Sequence, residues 1–174
     1  MIKGFPKGQD EDGNTIYENW MDYYKVGFRK MLSQAGERTL ICALLPRKSA
    51  HINGVISVAF RNGDYSVDMT AMCSSIVMDF YMKTVGASNL QSSRMDSFPL
   101  VVEEKYRKAL HGRTLRLNCV TNRYADLWSE VWDASYKHEQ WSIKDKRLAP
   151  WDTLTEEWNN DTPLRNYFER RMAW

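Results

Sequence analysis

Between Asp68 and Gly86 large apolar side chains fall at Met69, Met72, Cys73, Ile76, Val77, Phe80 and Tyr81. This i, i+3, i+4, i+7 spacing predicts an amphipathic helix over 69–81, capped by Ser66 or Asp68 and stopped at Gly86. A helix with such a stripe needs a second layer to cover it. Two short runs just upstream are suited to that role. Thr39-Leu40-Ile41-Cys42-Ala43-Leu44-Leu45 is continuous, apolar and ended by Pro46, and Ile52 to Phe60 is β-branched and partly alternating. Both read as strands, with Arg61-Asn62-Gly63-Asp64 as a turn after the second. The expected fold is therefore α+β, a small sheet packed on amphipathic helices, with Met72, Ile76 and Phe80 facing the sheet.

The remaining elements follow from the same rules. Asn19 reads as the N-cap of a helix carrying Trp20, Tyr23, Tyr24, Gly27, Phe28, Met31, Leu32 and Ala35, with Gly36 as its stop. Residues 86–98 are polar and loop-like. Phe98-Pro99-Leu100-Val101-Val102 reads as a short extended segment, because the residue before proline is pushed out of the α region. Helices are expected from near Glu103 and from about Asn122, the latter with Tyr124, Leu127, Trp128, Val131, Trp132 and Ser135 on one stripe. Thr153 and Glu156 fit a capping box, and Thr162-Pro163 fits a helix start. The final helix carries Leu164, Tyr167, Phe168, Arg171 and Met172 and stops at Trp174 without a cap, which suggests a truncated boundary. Three segments result: 1–18, a loop or flexible arm; 19–119, an α+β domain; and 120–174, a helical C-terminal part.

At 174 residues and 43% hydrophobic content the chain can bury a core. A formal net charge of +2 excludes nucleic-acid binding by global charge, so any such binding needs a local basic patch. Cys42, Cys73 and Cys119 are far apart, which reads as reduced thiols in a cytoplasmic protein. No apolar run is long enough to span a membrane, and the N-terminus lacks the core of a signal peptide.

Catalytic signatures are missing. There is no Gly-rich phosphate loop and no Gly-x-Ser-x-Gly elbow, and His51, His111 and His138 are dispersed without ligand spacing. Asp96 with Glu103-Glu104-Lys105 has the order of a nuclease carboxylate–lysine set, but Glu in a first helical turn has a simpler explanation in the helix dipole. The five prolines are isolated, so the Asn/Asp-Pro-Pro-aromatic loop of an adenine methyltransferase cannot be built. No metal or cofactor is expected in this chain, and it is expected neither to methylate nor to cut DNA.

Two polar loops carry the donor and acceptor types that read DNA. Arg47, Lys48, His51 and Asn53 lie between the expected strands, and Asn89, Gln91, Ser92 and Arg94 follow the 69–81 helix. Arg reads guanine, Asn and Gln read adenine, and Lys and Ser hold phosphate. Arg47 and Lys48 have no carboxylate close in sequence and are expected to be free for phosphate. Both loops are expected on one side of the domain. The aromatic sets Trp20/Tyr24/Phe28 and Tyr124/Trp128/Trp132 are expected in the core.

Several segments in order resemble the C-terminal region of large fused restriction–modification proteins that carry an adenine-specific DNA methyltransferase. They are Tyr24-Lys25-Val26-Gly27-Phe28-Arg29-Lys30-Met31, Glu37-Arg38 through Pro46, Ala50-His51-Ile52-Asn53, Val77-Met78-Asp79-Phe80-Tyr81, and Ser88-Asn89-Leu90 with Phe98-Pro99-Leu100. They continue at Arg113-Thr114-Leu115-Arg116-Leu117-Asn118-Cys119, Tyr124-Ala125-Asp126-Leu127-Trp128, Asp161-Thr162-Pro163-Leu164-Arg165 and Glu169-Arg170-Arg171. The resemblance implies a DNA target-recognition module whose layout is similar to restriction specificity subunits. It implies double-stranded DNA and upstream methyltransferase or nuclease domains as partners, with S-adenosylmethionine used by the parent enzyme. Two other readings stand beside it. Residues 120–174, rich in tryptophan, would form a protein–protein docking surface, or Glu103 and Lys105 would serve a nuclease.

Overall fold

The structure, a computed structural model, describes residues 5–100 and 103–174. It is α+β: among the described residues there are two small antiparallel sheets and six α-helices. The first sheet is a hairpin of β1 (Pro6–Gln9) and β2 (Thr15–Tyr17), where a loop or arm was expected. Its turn is held by Asp10, whose carboxylate accepts from the backbone N–H of Asp12 and Asn14, and by Gly13 at φ 80°.

The second sheet consists of β3 (Lys25–Arg29), β4 (Cys42–Leu45) and β5 (Val55–Ala59), in the order β4-β3-β5. The two strands read from sequence are β4 and β5. Their central partner β3 lies inside the stretch whose spacing predicts a helix, and this corrects that reading. Asn19 does cap, accepting from Met21 N–H, but only a single 3-10 turn, Trp20–Asp22. The residues that recur at helical spacing also alternate as a strand. Val26 and Phe28 are fully buried on one face, and Lys25, Gly27 and Arg29 point to the other. Hydrogen bonding on both edges decides between the two periods. Gly27 matters here because a Cβ would stand 2.6 Å from the Leu45 side chain that closes over it.

Both β4 and β5 run antiparallel to β3, so the link 46–54 must travel back along the length of the sheet. It covers the face carrying Lys25 and Ser57. His51 Nε2 meets Ser57 Oγ at 2.7 Å, and Trp20 packs edge-on against His51. Lys25 lies beneath, its ammonium 4.7 Å from the Trp20 ring, and burial pushes its pKa down.

The other face of the sheet packs on α1 (Gly63–Ser74), whose N-cap is Asn62 rather than Ser66 or Asp68. Val67, Met69, Thr70 and Cys73 are buried. The predicted single helix breaks at Ser75, an extended residue that ends α1 and, through its Oγ to Met78 N–H, starts α2 (Ile76–Val85). The break resets the phase. Met78, Asp79 and Met82 turn inward, and Ile76, Val77 and Phe80 are 77%, 76% and 66% exposed. The expectation that Ile76 and Phe80 face the sheet is thereby overturned. Gly86 ends α2 at φ 69°, as read. Met82→Ala should cost about 2–5 kcal/mol and Ile76→Ala under about 0.5 kcal/mol by urea titration. Comparable losses at both positions would contradict the break.

A short α3 (Ser92–Met95) interrupts the region expected to be all loop. Phe98 is buried, Pro99 and Leu100 are in no strand, and Val101 and Val102, the rest of the expected extended segment, lie outside the described residues. Next come α4 (Glu104–Asn118), starting at Glu103 as read, and α5 (Ala125–Val131). Tyr124, Leu127, Trp128 and Val131 are buried on the expected stripe. Tyr124 donates its hydroxyl to Leu44 O at 2.8 Å, and Tyr24 donates to Arg123 O at 3.0 Å, so the C-terminal part shares one core with the sheet.

The stretch 139–166 contains no helix, against the capping box expected at Thr153 and Glu156 and the start expected at Thr162-Pro163. It is fastened through side chains. The indoles of Trp128, Trp141 and Trp158 each donate to a backbone carbonyl at 2.9 Å. Arg116, fully buried, donates to Thr162 O at 2.9 Å and Pro150 O at 3.4 Å and lies against the Trp151 ring. Burial lowers its pKa to about 10, so it stays charged at neutral pH. The last helix, α6 (Tyr167–Ala173), is capped by Asn166.

Candidate nucleic-acid interface

The end of β3 organises the candidate surface. Lys30 follows Arg29 and lies between the two polar loops. Its N–H donates to Gly54 O at 3.0 Å, and its carbonyl accepts from Leu90 N–H at 2.8 Å. Its ammonium donates to Asn53 Oδ1 at 2.7 Å. One residue beyond, Met31 and Asn89 form an isolated antiparallel bridge, and Leu32 N–H donates to Ser88 O at 2.9 Å. The loop ends 51–54 and 86–91 therefore flank a single backbone segment at one end of the sheet, the edge where the central strand stops.

Two open clefts lie along this edge. One, of about 340 Å³, is lined by Lys30, His51, Ile52, Asn53 and Ser57. The other, of about 530 Å³, is lined almost wholly by polar groups, among them Asn89, Gln91, Ser93 and Arg94. Gln91 is the N-cap residue of α3 but makes no capping bond, so its amide is not used by the helix it precedes. Ser92, the first residue of α3, is exposed. No carboxylate among the described residues pairs with Arg94. His51 is less available than its composition suggested, because its Nε2 is engaged by Ser57.

Arg47 and Lys48 stand apart from this edge. They follow Leu45, which pairs with Lys25 at the opposite end of β3. β3 spans five residues, about 13–17 Å at strand rise. Neither cation is free, against expectation. Arg47 pairs with Asp126 at 3.2 Å and stacks 4.7 Å from the Tyr24 ring, and Lys48 is ion-paired with Asp22. These carboxylates are distant in sequence, so spacing did not reveal them. Both pairs are well exposed and worth only about 0.2–1 kcal/mol, so a phosphate can displace either carboxylate at small cost.

Two residues of the edge escaped the sequence reading. Lys30 was absorbed into the expected helix. Ile52, 83% exposed at the lip of the smaller cleft, was counted as strand. An exposed apolar side chain beside amides is suited to contact a thymine methyl.

The other candidates resolve as structure. Glu104 pairs with Arg107 at 3.6 Å and Lys105 packs against the Tyr106 ring, so the first turn of α4 is a solvated, internally paired surface. His111 is buried, with Nε2 at 2.5 Å from Asp68 Oδ1, and Asp68 is also held by Arg107. Most tryptophans of the tail that were candidate docking anchors are spent on the core: Trp128 and Trp151 are buried, and Trp132, Trp141 and Trp158 pack against the same cluster, while Trp174 stays 67% exposed. Burial also pushes the Cys42 thiol up to about 11 and raises those of Cys73 and Cys119, leaving none of them activated.

No family model matches this chain, and neither curated proteins nor solved structures contain a match to it.

Proposed function

We propose that this chain is a DNA target-recognition module of a restriction–modification enzyme with an adenine-specific methyltransferase. In this reading it binds double-stranded DNA with sequence preference and has no catalysis of its own. Methyl transfer from S-adenosylmethionine, and any cleavage, belong to other domains of the parent protein. Two things support the reading: the ordered resemblance to such proteins, and an α+β scaffold of the kind on which base-reading loops can vary without disturbing a core. The single observation that carries it is the position of Lys30. By bonding to Gly54 on one side and Leu90 on the other, it draws together the loop end that carries Asn53 and the one that carries Asn89 and leads to Gln91 and Arg94.

The roles follow from chemistry. Lys30 neutralises a phosphate once its exposed bond to Asn53 opens, Arg94 reads a guanine edge, and Asn89, Gln91 and the released Asn53 supply the amides that read adenine. Arg47 and Lys48 hold a more distant phosphate after exchanging their carboxylate partners.

Fluorescence anisotropy with duplexes selected from a random library tests this. Lys30→Ala should weaken binding to every duplex and reduce the slope of log K against log salt by about one. Arg94→Ala should weaken the selected duplex by about 5–150-fold while leaving non-specific binding nearly unchanged. Wild-type affinity and preference in both variants would overturn the proposal.

A further inference from the structure

The α2 helix leaves a face uncovered. Ile76, Val77, Phe80 and Tyr81 are 77%, 76%, 66% and 39% exposed and adjoin one another on that face, while Met78, Asp79 and Met82 bury the opposite one. Together they present an apolar ridge of about 500 Å², at the upper end of what monomeric proteins leave exposed.

The polar groups around the ridge are already engaged. Asp79 accepts from the backbone of Thr39 and Leu40, and Lys83 sits on the carbonyls of Gly36 and Glu37 and pairs with Asp79 at 3.7 Å. Thr84 donates back to Tyr81 O. The ridge therefore offers a partner shape and apolar area, with its flanking charges neutralised.

We propose that this ridge is a homodimer interface, in which two copies of the chain pair their α2 helices antiparallel across a twofold axis. The pattern is self-complementary. A twofold midway between Val77 and Phe80 sets Ile76 of one copy against Tyr81 of its mate, and Val77 against Phe80. Each level then joins an aliphatic side chain to an aromatic ring. The antiparallel arrangement also places the helix dipoles head to tail. Within each copy Lys83 and Asp79 compensate one another. Burying both ridges removes about 1,000 Å² from water, at the threshold of a biological interface, so the dimer is a weak one.

Sedimentation equilibrium from low to high micromolar concentration reads this directly. The wild-type chain should show a monomer–dimer equilibrium with a Kd of about 10–100 µM. Phe80→Glu and Val77→Lys, both at exposed positions, should each raise that Kd by about 30-fold or more with unchanged circular dichroism. Mixing the two variants should restore a heterodimer, because the twofold brings the new carboxylate of one chain to the new ammonium of the other. A monomer throughout, a dimer insensitive to Phe80→Glu, or a mixture that fails to associate would each overturn the proposal.

Discussion

Asp79→Ala is expected to destabilise the fold by about 3–5 kcal/mol, although sequence places this residue on an ordinary helix surface. Asp79 is 4% exposed. Its Oδ1 accepts the backbone N–H of Thr39 at 2.7 Å and of Leu40 at 2.8 Å, just where the chain enters β4. Both donors belong to buried residues, so removing the acceptor strands two N–H groups away from water. Lys83, one-third exposed, loses its carboxylate but keeps the carbonyls of Gly36 and Glu37. Because one oxygen receives both bonds, Asp79→Asn can keep them and forfeits the charge and the second oxygen that faces Lys83. It should cost no more than about 1–2 kcal/mol, the scale of a charge-assisted increment. Urea titration of the two variants reads the difference. Equal losses would show that the charge, and not the two accepted bonds, carries the stability.

Arg116→Met should have a similarly large effect through a different mechanism. The guanidinium is a buried tie between α4 and the irregular stretch 139–166, bonding Thr162 O and Pro150 O and covering the Trp151 ring. Buried Glu169, which accepts from Ala149 N–H, lies within its field. Methionine matches much of the volume but bonds neither carbonyl and removes a positive charge that Glu169 feels. A loss of about 3–5 kcal/mol is expected, together with faster proteolysis within 139–166 in limited digestion. Unchanged proteolysis would show that the other ties, among them the indole bonds and the Arg113–Glu139 ion pair, hold this stretch without the guanidinium.

What the sequence disclosed depended on whether the deciding interaction was local. β4, β5, α4 and α5 were legible because apolar runs, caps and stops lie within a few residues of each element. β3 was not, because Tyr24, Val26 and Phe28 satisfy both a helical and an alternating period, and only pairing with β4 and β5, distant in sequence, selects the strand. The phase of α2 was misread through a single residue: Ser75 is unremarkable in sequence, yet its extended backbone turns Ile76 and Phe80 outward. Caps at Asn62 and Asn166 in place of Ser66 or Asp68 and Thr162 show the same limit, since several side chains of equal capping chemistry compete and tertiary contacts choose. In the candidate site, the polar residue types at 51–53 and 89–94 were legible. Lys30, which joins them, was not, because its role lies in long-range backbone bonds. The partners of Arg47 and Lys48 were hidden for the same reason: Asp126 lies in α5 and Asp22 in the turn before β3.

Hydrogen exchange of the chain with and without its selected DNA duplex tests the recognition edge most directly. Binding should slow exchange at 51–54 and 86–97, with lesser protection at 47–48, and leave the ridge of α2 and the stretch 139–166 unchanged. Protection confined to the C-terminal stretch or to α2, or no change at saturating DNA in low salt, would contradict the proposed recognition surface.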